Sequence, residues 1–142
     1  MRSSSKGDFV ADRYFSPREV EALIPALTEI MGDVMAAQSE AAAVRERLHA
    51  EQERIAMTGG SVIDPEVWRG GRTDLERIAR RLETRMEDIG RLGGVIKDMG
   101  LGLVDFPHLR DGEVVNLCWK HGETAIEYWH GLDEGFAKRK PL

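Results

Sequence analysis

"GLGLVDFPHLRDGEVVNLCWKHGETAIEYWH", residues 100–130, is where the hydrophobic period changes. Upstream, apolar residues recur every three or four positions; from Leu101 onward they alternate. The first spacing is a helix signal and the second a strand signal, so the fold class turns on this junction. Asp111-Gly112 is a strong two-residue hairpin turn and His121-Gly122 a weaker one. The stretch predicts three short strands forming an antiparallel β-meander over about residues 101–130. With two-residue loops, Phe106 lies opposite Leu117 and Leu117 opposite Ile126. Val104 then neighbours Trp119, and His108 neighbours Val115 and Tyr128. That face is almost wholly apolar and should pack on helices. The other face carries Asp105, Asn116, Cys118, Ala125, Glu127 and Trp129. Pro107 fits if the first strand is a sheet edge.

Outward toward the N-terminus, "FSPREV" predicts a helix start. Ser16 and Glu19 have capping-box spacing, Pro17 suits the first helical position, and Phe15 can staple onto Val20. A 3-4 repeat follows through Val20, Leu23, Leu27, Ile30, Val34, Ala37, Ala41, Val44, Leu48 and Ile55. Only Glu51 interrupts it. Such a seam wants a partner helix. Pro25 should kink the rod near its start. About forty residues at helical rise give a length of roughly 60 Å. The glycines of residues 57–72 break the pattern, with one short turn expected at Asp64-Pro65. Thr73 and Glu76 offer a second capping box. Leu75, Ile78, Leu82, Met86, Ile89, Leu92 and Ile96 then predict a second helix, ending near Lys97 to Met99. At roughly 36 Å it is shorter than the first. Gly90, Gly93 and Gly94 within it point to close backbone packing or to an earlier helix end.

A chain of 142 residues is the size of one domain. Residues 1–13 read as a flexible lead-in and 14–142 as one α+β domain. Within it, a long antiparallel helical hairpin spans about 16–99, the three-stranded meander about 101–130, and a tail 131–142. The sheet should pack on one end of the hairpin. A net charge of −5 argues against nucleic acid and anionic membranes as partners, since both need a basic face. No run reaches the roughly 18 apolar residues of a membrane span. The first 13 residues lack the apolar core of a secretory signal, and one cysteine forms no internal disulfide. The expected setting is the cytoplasm.

The cysteine, two of four histidines and two of three tryptophans fall within residues 116–136. Alternation puts Cys118 on the face opposite His130, with His121 in a turn, so a Cys-containing metal or haem site is not expected. The same register sets His130 opposite Glu113, with His108 diagonal to it. Two imidazoles and a carboxylate can hold a divalent metal, zinc or iron, or run acid-base chemistry. A pocket lined by Trp119, Tyr128 and Trp129 is the other candidate site. Arg77, Arg81 and Arg85, interleaved with glutamates, read as a solvated face of ion pairs. The first helix outruns the second, which favours a non-enzymatic interaction module that self-associates as a homodimer through the exposed seam, or binds a protein partner there.

Several short motifs in the last third carry a family resemblance. They are Gly102 to Pro107, Leu117-Cys118-Trp119, Gly122-Glu123, Trp129-His130, and Gly135-Phe136 through Arg139 to Pro141-Leu142. With "FSPREVEALIPAL" they resemble the bacterial family known as domain of unknown function 2203. The glycine-rich segment near 57–72 and lysine at 138 depart from its pattern. The resemblance implies one shared domain over most of 14–142 and implies no activity.

Overall fold

The computed structural model describes residues 13–59 and 63–142. The expected lead-in therefore lies almost wholly outside the described residues.

Helix α1, Pro17–Ala22, starts where the sequence says it should. Ser16 Oγ accepts from the Glu19 amide at 3.2 Å, and Glu19 Oε1 accepts from the Ser16 amide at 2.8 Å. The kink expected at Pro25 is a break: Leu23 separates α1 from α2, Ile24–Met57. Proline has no N–H to give a preceding turn, so the rod restarts around it. The buried residues of α2 are Leu27, Ile30, Met31, Val34, Ala37, Ala41 and Val44, the predicted seam.

The second long helix differs from its sequence reading at both ends. Helix α3 runs Pro65–Leu92, so Thr73 lies inside it and caps nothing. Asp64 is the cap, its carboxylate accepting from the Glu66 amide at 3.0 Å, and Pro65 fills the first position. Gly71 is tolerated in the helix because it faces Leu48 of α2, where a Cβ would collide. The extra turns of α3 lie against the far part of α2, with Leu48, Leu75 and Ile78 in one cluster. The α2 seam as far as Leu48 is thus packed against the chain's own helix.

At the other end α3 stops at Gly93, whose φ of 97° suits glycine. A Cβ on Gly93 would overlap Phe15, and one on Gly94 would meet Phe106 and Val104 at 2.8 Å. Both roles expected of these glycines are present, packing and an early stop.

Residues 95–98, read as helix, form strand β1, Val95–Asp98. It is followed by β2 Leu103–Arg110, β3 Glu113–Lys120, β4 Tyr128–His130 and β5 Lys140–Pro141. The sheet therefore has five strands in order β1-β2-β3-β4-β5, not three, and all neighbours are antiparallel. The expected tail contributes a short 3₁₀ turn, Phe136–Lys138, and the last strand.

Asp111 and Gly112 have φ of 51° and 82°, the two left-handed residues of a tight hairpin. The β2–β3 register is the predicted one, with Phe106 opposite Leu117 and Val104 opposite Trp119. Pro107 lies past the end of β1, whose pairing stops at Asp105. Its carbonyl instead accepts from the Phe15 amide at 2.7 Å. Val104, Phe106, Leu117 and Trp119 are fully buried against Leu27, Met31, Val34 and Ile89. That face joins sheet to helices. No helix among the described residues is long and apolar enough to cross a membrane.

Candidate functional site: a buried carboxylate, thiol and imidazole

The register of β4 decides the site. Leu117 lies opposite Trp129, and Asn116 opposite His130. The sequence reading put Ile126 opposite Leu117, so the strand is shifted by three residues. Strand side chains alternate, and an odd shift exchanges the faces. Segment 121–127 is not a tight turn feeding a strand. Glu123 Oε1 accepts from the Lys120 amide at 2.8 Å, and Glu21 Oε2 of α1 accepts from the Ile126 amide at 3.2 Å. Tied at both points, the chain bulges away before β4 begins.

His130 thus leaves Glu113 and joins the face turned away from the helices. Glu113 pairs with Arg110 across the hairpin turn. His108 donates from Nδ1 to the Phe15 carbonyl at 2.6 Å, strapping the entry of α1 to β2. The set His108, Glu113 and His130 does not assemble. The three aromatic candidates are also divided. Trp119 is core, its Nε1 donating to the Glu123 carbonyl at 3.0 Å. Trp129 shares that face, with Arg110 and Lys140 over its ring at 4.7 and 4.6 Å. Tyr128 faces the other way, under Arg139 at 4.1 Å.

The register assembles a different group, and it includes the cysteine that alternation had separated from His130. Asp105 and Cys118 are directly opposite on β2 and β3, and His130 lies diagonally beside Cys118. Ligand atoms of all three lie within 4.8 Å of one another. The residues are 1–2% exposed. His130 Nε2 stands 2.9 Å from Asp105 Oδ2. The imidazole is the carboxylate's ion-pair partner, and neither buried oxygen completes a well-formed hydrogen bond. A buried carboxylate held only by an imidazole and a thiol is costly, which marks the group as a candidate for chemistry.

The proton inventory follows from the partners. His130 Nδ1 lies 2.8 Å from the Gly131 carbonyl. A carbonyl only accepts, so Nδ1 carries hydrogen and Nε2 faces Asp105. Burial pushes the Asp105 carboxyl up, opposed mainly by the charge of His130. Burial, reinforced by the Asp105 charge, pushes the Cys118 thiol up to about 12. Arg139 opposes that rise. It is fixed by Glu123 at 3.0 Å and stacks on Phe136 at 4.3 Å.

That arrangement disfavours one use of a Cys-His-Asp set. A nucleophilic cysteine needs a depressed pKa and an imidazole free to take its proton. Cys118 is shifted the opposite way, and both nitrogens of His130 face other partners. Metal ligation needs what is present: a thiol, a carboxylate and an Nε2 converging, with Nδ1–H anchored on a backbone carbonyl.

A cleft of about 360 Å³ opens over the group. Its walls include Lys97 and Leu101 from the β1–β2 side, Leu103, and Glu134 and Phe136 from the C-terminal segment. Glu134 Oε1 accepts from the Gly131 amide at 2.8 Å and from Lys140 Nζ at 2.5 Å, fixing the turn that carries the Gly131 carbonyl.

A family model described as "Uncharacterized conserved protein (DUF2203)" matches residues 13–142. No curated protein and no solved structure matches the chain.

Proposed function

The chain belongs to the DUF2203 family, whose description names no activity, and from its own residues we propose that it is a transition-metal-binding protein. The ligands are the Asp105 carboxylate, the Cys118 thiolate and His130 Nε2. One observation carries this: three buried ligand atoms of the right chemistry converge within 4.8 Å, with the carboxylate left unsatisfied. One sulfur, one nitrogen and one oxygen donor suit zinc, which takes all three types. Calcium and magnesium prefer oxygen throughout. Three protein ligands leave one place of a four-coordinate ion for water or a ligand, the pattern of reactive zinc sites rather than closed structural ones. The anchored Nδ1–H of His130 supplies the outer-shell bond that ligating histidines usually have.

The test is elemental analysis of untagged protein together with a Co(II) titration. One ion per chain is expected, with a thiolate-to-cobalt charge-transfer band that Cys118→Ser removes. Protein that holds no stoichiometric metal and gives no such band sinks the proposal.

A further inference from the structure

Resting on the metal reading, we infer that the cleft takes a small organic carboxylate with an apolar body, its carboxylate shared between the ion and Lys97. The argument is a charge inventory. Asp98 lines the cleft, but its Oδ1 accepts from the Leu101 amide at 2.8 Å. Glu134 lines it too, and Lys140 neutralises it at 2.5 Å. A divalent ion is balanced by the Asp105 carboxylate and the Cys118 thiolate. Lys97 then remains: it lines the cleft, is exposed, acts on Asp105 only through its charge, and makes no ion pair among the described residues. The β1–β2 register shifts between Ile96 and Asp98, placing Lys97 at the irregularity. Such bulges commonly re-aim a side chain beside a site.

One free cation beside one open coordination place fits a monoanion. A phosphate group wants several donors, such as arginines or a helix N-terminus. Here Asp98 adds a negative wall that would repel a dianion. Leu101, Leu103 and Phe136 give the ligand's body apolar contact. The cleft's 360 Å³ is at the small end of the roughly 300–1,000 Å³ typical of ligand pockets, so a metabolite-sized acid fits and a large cofactor does not.

The experiment titrates Co(II)-loaded protein with acetate, butyrate and inorganic phosphate, following the visible cobalt bands. Butyrate should perturb them saturably and bind about tenfold tighter than acetate, from its two further buried methylenes. Phosphate should bind more weakly than butyrate. Lys97→Gln should weaken butyrate about tenfold and leave cobalt stoichiometry at one per chain. Cobalt that loads normally but answers to no carboxylate overturns this inference and spares the metal site. So does butyrate binding that is unchanged in Lys97→Gln, or weaker than phosphate binding. Protein that takes up no cobalt overturns both.

Discussion

His130 Nε2 lies 2.9 Å from Asp105 Oδ2 while His130 Nδ1 donates to the Gly131 carbonyl. The ring therefore turns its second nitrogen to Asp105. Cys118, pushed up to about 12, holds its proton at neutral pH.

Metal uptake should accordingly release about one proton per ion at pH 7, from the Cys118 thiol. Apparent affinity should rise with pH, because that proton competes with the ion. Titration calorimetry in buffers of differing ionisation enthalpy counts it. A release near zero would mean that the ion sits elsewhere.

Asp105 trades stability for binding. Its carboxyl is raised by burial, so the ionised form is the disfavoured one in the metal-free fold. A raised group supports the fold at low pH and loses that support as pH rises through its folded value. Asp105→Asn keeps the shape and can donate to His130. Metal-free Asp105→Asn should be more stable than the parent by about 1–2 kcal/mol near pH 8. It should also lose the rise in Tm that zinc gives the parent. Thermal melts with and without zinc check both.

Asp33 is the opposite case. Its Oδ1 accepts from Arg81 Nε at 3.0 Å and its Oδ2 from Arg85 Nε at 2.9 Å, tying α2 to α3. Hydrogen bonds from Arg81 and Arg85 hold the carboxyl at about 2. A depressed group stabilises above its unfolded value and loses that as pH falls through the folded one. Asp33→Asn should cost about 1–2 kcal/mol at pH 7, a range that allows for solvent screening. The deficit should close as pH falls from about 4 toward about 2. Urea unfolding at both ends of that window measures it.

Two glycines of α3 and its cap should respond in opposite directions. Gly93→Ala puts a methyl into the Phe15 ring at a positive φ, so a loss of about 2–4 kcal/mol is expected. A Cβ on Gly70 meets nothing within 4 Å, so Gly70→Ala should gain up to about 1 kcal/mol of helix stability. Denaturant midpoints of the two variants settle the signs.

The parts of the fold legible in the sequence are those set by local chemistry. Ser16 and Glu19 cap where they should, the α2 seam is buried, and Asp111-Gly112 fixes a register that the residues around it obey. Ile96 misled because it continues the 3-4 spacing of α3 while standing in β1. The glycines at 93 and 94 were the available signal, and the positive φ of Gly93 and the close packing of both outweigh periodicity. The site was hidden for a different reason. Asp105 and Cys118 share a face in either reading, but His130 joins them only because segment 121–127 is held by Glu21 and by Glu123. A bond from a residue 105 positions away sets the parity of a strand, and no local pattern carries that information.

Asp105, Cys118 and His130 all lie on the sheet face turned away from the helices, on strands whose opposite face does the packing. A layer of sheet backbone therefore stands between these side chains and the far half of the hairpin. A chain lengthened or shortened at the α2–α3 tip should leave this cluster where it is. The rod and the sheet's outer face are in this sense mechanically separable, one built for packing and the other free to be altered without repacking the core.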